Sequence, residues 1–235
     1  MIIAATSDVN TPRYYGDFVA ALDRMSQKPH LFLIAGDMVN RGEISEYQKV
    51  YNALFGKVSC PIVACFGNNE YEQARETVKR EFRDIRFLDD QSIVISFGSL
   101  DVGVFGTTGS LETPTPWQKA NIPDIERLFQ QRMELADKHL QRMTGMFKIL
   151  LTHYAPTYKT LEGENPRFFS SMGNQVFENV INNRKPSLVI HGHSHRGLKQ
   201  AWVDTVPVFN VAFPLNREIV IIDTDKLKTG IAKFV

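Results

Sequence analysis

Five short apolar runs in this chain each end on a residue type that can ligate a metal or hold a phosphate. MIIAATS leads to Asp8, LFLIAG to Asp37, PIVACFG to Asn68, Asn69 and Glu70, FKILLT to His153, and SLVIH to Gly192-His193-Ser194-His195. Runs of this length, rich in Ile, Val and Leu and bounded by Gly or polar residues, read as buried β-strands. In an α/β sheet the crevice beyond the carboxyl ends of the strands is where ligands bind. A single Asp after a strand is most simply a turn former or a helix cap. Carboxylates, amides and imidazoles at the ends of all five require a fold that gathers those ends in one place.

The segments between the runs carry helical periodicity. Phe18, Leu22 and Met25 follow the first; Ile44, Tyr47, Tyr51, Leu54 and Phe55 follow the second; Val176, Phe177, Val180 and Ile181 follow His153. Alternation of such amphipathic stretches with strands predicts a largely parallel sheet. The middle of the chain differs. Phe87 to Phe105, including the alternating SIVISF, reads as short strands, and a long helix is expected from about Ile122 to Met143. The tail from Ala201 to Val235 returns to β runs: AWV, VPVFNVAF, REIVIID and IAKFV. This order predicts an α/β fold, a four-layer αββα sandwich of two mixed β-sheets flanked by helices, with residues 1–235 forming one domain.

Composition narrows the function classes. A net charge of +1 with 43% hydrophobic residues excludes a strongly basic nucleic-acid binder and leaves binding through a local patch open. No basic leader with an apolar stretch and no run of membrane-spanning length is present, so a cytoplasmic chain without membrane association is expected. Cys60 and Cys65, in or beside the third run, read as apolar core residues rather than a disulfide, which fits a reducing compartment. The sequence leaves a homo-oligomer open.

Taken in order, Asp8, Gly36-Asp37, Gly67-Asn68-Asn69-Glu70, His153 and Gly192-His193-Ser194-His195 resemble the motif series of the calcineurin-like metallophosphoesterases. Those proteins carry Asp-X-His, Gly-Asp, Gly-Asn-His-Glu/Asp, a lone His and Gly-His-X-His on an αββα sandwich. The resemblance covers about Met1 to Arg196. It implies one metal site of Asp8, Asp37 and His195 and another of Asp37, Asn68, His153 and His193, with Asp37 bridging two divalent transition-metal ions. A mixed His, Asp and Asn set suits Mn, Fe, Zn or Ni better than Ca. The implied substrate is a small phosphate ester or nucleotide, with diesters favoured. The implied nucleophile is a metal-bound hydroxide, and His193 or Arg41 would neutralise the developing charge.

Two positions depart from the pattern. Asn10 stands where the family has a histidine ligand, and an amide oxygen is the weaker donor to a late transition metal. Asn69 stands where the family has a histidine beside the leaving group; it can donate a hydrogen bond but cannot deliver a proton. Both favour the alternative of a non-catalytic or weakly metal-binding interaction scaffold on the same fold. Arg41 lies in GDMVNRG, similar to the GDXVDRG of the phosphoprotein phosphatases, and reads as a phosphate clamp or a solvated loop residue. His191 reads as a support behind the ligands or as a core histidine. Arg13, Tyr14, Tyr15, Trp117, Tyr154, Arg167 and Phe168 lie in loops near the motifs, where they line a pocket or pack the loops onto the sheet.

Overall fold

The computed structural model describes residues 1–227. Its first part alternates strictly: β1 (Ile2–Thr6), α1 (Tyr15–Asp23), β2 (Leu31–Ala35), α2 (Ile44–Leu54), β3 (Ile62–Cys65), α3 (Glu72–Glu81) and β4 (Ile85–Leu88). A hairpin of β5 (Gln91–Phe97) and β6 (Leu100–Thr107) opens the second part. The chain continues through α4 (Pro116–Asn121), α5 (Ile125–Arg142), β7 (Phe147–Thr152), α6 (Phe177–Arg184), β8 (Leu188–His191), β9 (Gln200–Val203), β10 (Val206–Asn210), α7 (Phe213–Asn216) and β11 (Val220–Asp223).

Two mixed sheets result. One has the order β11-β1-β2-β3-β4, parallel except for β11; the other has the order β5-β6-β7-β8-β10-β9, parallel except for β5 and β9. The expected architecture is present. Its cause is visible residue by residue. In β2, Leu31, Leu33 and Ala35 face the space between the sheets, while Phe32 and Ile34 face α1 and α2. A strand buried on both faces needs apolar residues at every position, which is why these segments read as continuous rather than alternating runs. β5 sits at a sheet edge and alternates instead: Ile93, Ile95 and Phe97 pack between the sheets, and Ser92, Val94 and Ser96 are exposed. On the far side, Ala136 and Leu140 of α5 and Phe177, Val180 and Ile181 of α6 cover Leu150, Val189 and Val208. Each such side chain contributes roughly 1.5–3 kcal/mol by burial, so truncating one, as in Leu33→Ala, should cost about 2–5 kcal/mol.

Three segments differ from the sequence reading. Helix α3 has no counterpart there, because it buries Val78 and Arg75 rather than an apolar stripe. Arg75 does the anchoring: its guanidinium pairs with Asp89 at 2.8 Å and donates to the main-chain oxygens of Glu70 and Gly67. The Pro-rich stretch around Trp117 is partly helix α4, started by Pro116 and a capping box in which Thr115 and Gln118 bond each other's main-chain N–H. VPVFNVAF does not stay extended. β10 stops at Asn210, and Phe213 begins α7 and packs edge-on against Phe18 under the other sheet. The expected run IAKFV lies outside the described residues. Cys65 is buried, Cys60 is half-buried, and both are free thiols.

Candidate metal centre

The carboxyl ends of β1, β2, β3, β7 and β8 meet at one edge of the sandwich, and the loops leaving them are held by their own polar residues. Asp8 and Asp37 adopt left-handed backbone conformations at φ 58° and 53°, as do Asn10 at 47° and His193 at 68°. Each costs of order 1 kcal/mol outside glycine, and such strain gathers at sites where the chain must re-aim a side chain. Close approach is the other constraint. A Cβ on Gly67 would overlap the Asp37 carboxylate, and one on Gly192 would overlap Ser7 and the Asp8 carboxylate.

Glu70 is the organiser of this edge. It is 2% exposed, and its Oε2 accepts the main-chain N–H of Asp37 at 2.8 Å and of Gly67 at 2.7 Å, while Oε1 accepts that of Met38 at 2.7 Å. The sequence placed Glu70 among ligand-type residues; the structure gives it the task of clamping the β2 and β3 loops together.

One donor atom from each of Asp8, Asp37 and His153 lies within 4.8 Å of the others, and all three residues are buried. Asp8 Oδ2 accepts from Ser7 Oγ at 2.6 Å and from the His193 main-chain N–H at 2.9 Å; Oδ1 lies 3.1 Å from His195 Nε2. Asp37 Oδ1 accepts from the Asn69 main-chain N–H at 2.7 Å, and Oδ2 from the Asn69 side-chain amide at 2.7 Å. His153 Nδ1 is 2.8 Å from the Ala35 carbonyl, and its Nε2 is 3.0 Å from Asn68 Oδ1 and 3.5 Å from Asp37 Oδ2. His193 is edge-on to both His153 and Tyr154, with centroids 5.0 and 4.9 Å away.

The electrostatics follow from packing charges without water. Burial pushes the Asp37 carboxyl up to about 7; Glu70 and Asp8 push the same way, and His153 opposes them. Burial would also raise Asp8, but the His195 hydrogen bond, the His153 charge and Ser7 hold it well below the usual carboxylate range. Burial works against the charged form of His153, yet Asp37 and Asp8 raise it overall. His193, half-buried beside His153, is pushed down to about 3 by desolvation and that neighbour.

A carbonyl oxygen only accepts, so the Ala35 contact keeps a proton on His153 Nδ1; in the neutral imidazole Nε2 then turns its lone pair toward Asn68 Oδ1, itself an acceptor, and only in the imidazolium does it donate there. Two facing acceptors beside two carboxylates are repulsive unless a proton or a cation lies among them. This donor set fits a divalent ion, and a main-chain carbonyl behind the imidazole is the usual support for a ligating histidine.

Asp8, Asn10, Asp37, Asn68, Asn69, His153, His193 and His195 are therefore brought together. The two departures touch each other: Asn69 Nδ2 donates to Asn10 Oδ1 at 3.0 Å, and Asn10 Nδ2 donates to the Asp8 carbonyl at 3.1 Å. Arg41 stands apart on an exposed loop, tied to the site through the Gly42 N–H, which bonds the Asn69 carbonyl at 2.6 Å. His191 is a core residue. Its Nδ1 donates to the Gly192 carbonyl at 2.7 Å, Nε2 is buried without a partner among the described residues, and burial lowers it to about 4. Tyr14 packs on Phe213, and Trp117 and Phe168 are exposed. The sequence reading did not foresee Ser7, or Gln118, whose amide donates to the Tyr154 hydroxyl at 3.0 Å.

The model of the calcineurin-like phosphoesterases matches residues 1–197. Phosphopantetheinyl hydrolase from Mycobacterium tuberculosis superposes with a TM-score of 0.68 at 12% identity, covering 89% of this chain and 88% of that one. The protein TT1561 of Thermus thermophilus gives 0.65 at 16%, covering 97% and 96%. An archaeal phosphodiesterase gives 0.50 at 17%, covering 97% and 96%. A comparison with curated proteins finds no match. The match over residues 1–197, with its motifs converging on one buried cluster, places this chain in the calcineurin-like phosphoesterase family.

Proposed function

We propose that this protein is a metal-dependent phosphoesterase acting on phosphodiesters through two divalent ions. The family typically binds divalent metals, and the buried Asp8, Asp37 and His153 cluster fits such a site. Asp8, Asp37 and His195 would hold one ion and Asp37, Asn68, His153 and His193 the other, with Mn, Fe, Zn and Ni matching the donor types. When bound, divalent ions supply Lewis acidity to a phosphoryl oxygen and to the attacking water. The observation that carries the reading is His153 Nε2 and Asn68 Oδ1 at 3.0 Å, two facing acceptors whenever the imidazole is neutral, beside two buried carboxylates. A scaffold has no physical need for it.

The chain's own residues set the rest. Asn69 orients Asp37 with two hydrogen bonds rather than serving the leaving group, so no proton donor stands at that position. Diesters with acidic alcohols, which depart as anions, are the favoured substrates. Arg41 would meet a substrate phosphate only by folding its exposed side chain inward. Relatives of similar fold bear the names phosphodiesterase and phosphopantetheinyl hydrolase, which supports ester hydrolysis at phosphorus.

The test is hydrolysis of bis(p-nitrophenyl) phosphate by protein purified without chelator and supplemented with Mn²⁺ or Zn²⁺. Metal-dependent turnover, abolished by EDTA and restored by metal, is expected. Metal-loaded protein that hydrolyses neither this diester nor p-nitrophenyl phosphate overturns the proposal in favour of the interaction scaffold, in which Asn69 donating to Asn10 would stand in place of two metal-site histidines.

A further inference from the structure

The metal centre opens on one side into a cavity of about 530 Å³, within the range of small-molecule sites. Asn68 and Tyr154 line the cavity and also belong to the cluster described above, so a group seated there is continuous with a phosphoryl group at the ligands. The cavity's two cationic side chains are already neutralised: Arg75 pairs with Asp89 at 2.8 Å and Arg132 with Asp90 at 3.2 Å. An occupant carrying further negative charge would find no free counter-charge in this lining. The rest of the wall mixes apolar residues such as Ile122, Leu128 and Phe129 with the Gln73 and Asn121 amides and the Glu72 carboxylate, which adds to the disfavour toward a further negative charge.

Two aromatic rings in the lining are left to solvent. Trp117 is 62% and Tyr71 42% exposed. Trp117 is nonetheless held on a fixed support, because the Thr115–Gln118 capping box fixes α4 and Gln118 in turn donates to the Tyr154 hydroxyl at 3.0 Å, next to His153. An exposed indole on a braced helix beside a reaction centre is a stacking platform.

We propose that this cavity receives the alcohol side of the substrate and takes a neutral, planar heteroaromatic group, a nucleobase, stacked on Trp117. The substrate class is then a nucleotidyl phosphodiester. This inference rests on the phosphoesterase reading.

The experiment uses adenosine, which has no phosphate and therefore binds without the metal centre. Trp117 and Trp202 are the only tryptophans, so Trp202→Phe in the full chain leaves Trp117 as the sole reporter under selective tryptophan excitation. Saturable quenching by adenosine and none by ribose, with or without Zn²⁺, is expected. Equilibrium dialysis of labelled adenosine against Trp117→Leu should show affinity reduced about tenfold or more, with an unchanged circular dichroism spectrum. Absence of saturable quenching, or equal affinity in Trp117→Leu, overturns the assignment. A chain that hydrolyses diesters but ignores adenosine refutes the cavity alone; one that binds adenosine but hydrolyses no ester refutes the phosphoesterase reading.

Discussion

Glu70→Gln perturbs the site without changing side-chain size, and its cost can be worked from the hydrogen bonds. The two carboxylate oxygens make short bonds to three buried main-chain donors, those of Asp37, Met38 and Gly67, and a long one at 3.5 Å to that of Val39. Whichever way a glutamine amide turns, its NH₂ faces at least one of these N–H groups. A buried donor left unpaired costs about 1–3 kcal/mol. The other two bonds lose their charge assistance, about 1 kcal/mol each on the difference between bonds to charged and to neutral groups. The sum is about 3–5 kcal/mol, a large part of the roughly 5–15 kcal/mol that holds a typical protein folded. Urea denaturation of the chelated protein should show it: with a slope of about 3 kcal/mol/M, the midpoint falls by about 1 M or more. Metal affinity should fall about 10–100-fold as well, because the clamp fixes the strained Asp37 backbone. A midpoint within about 0.3 M of wild type would refute the reasoning, since these N–H groups would then have other acceptors.

Other outcomes follow from the same geometry. Asp37→Ala should lose all firmly bound metal, whereas His191→Ala, whose ring bonds no candidate ligand, should keep it; elemental analysis decides, and complete metal loss from His191→Ala contradicts the assignment. Across diesters of graded alcohol pKa the wild-type rate should fall steeply as the leaving group weakens, and Asn69→His should rescue the poor leaving groups selectively, by up to about 10²–10⁴-fold; a flat wild-type dependence would mean that another residue supplies the proton. Metal affinity should weaken as pH falls below about 7, because burial raises Asp37 to about 7 and its carboxyl then holds a proton that an entering ion displaces. Calorimetry at pH 6.5 in buffers of different ionisation enthalpy reads this release, and none would contradict the stated protonation.

The strands and their ligand-bearing ends were legible because double burial writes itself into the sequence as unbroken apolar runs, as in Leu31–Ala35, and because metal ligands are drawn from few residue types. Helix α3 was not legible, since Arg75, a charged residue, does the packing that an apolar stripe normally announces. The start of α4 could have been read from Thr115 and Gln118, whose spacing is that of a capping box. Glu70 could be named only as one of the ligand-type residues that follow β3; the fold shows that its oxygens face the main chain. The contact between Asn10 and Asn69, 59 residues apart, belongs to tertiary geometry that no local pattern encodes. Trp117 could be named as a loop aromatic, but its role awaited the cavity beneath it.

The central claim is that this edge of the sandwich is a metal centre bridged by Asp37. Anomalous diffraction from crystals grown with Zn²⁺, collected on both sides of the zinc edge, tests it most directly. The account predicts two peaks flanking the Asp37 carboxylate, one also touching Asp8 and His195 and the other Asn68, His153 and His193. A map with no peak there, or with zinc bound only elsewhere on the surface, would contradict it.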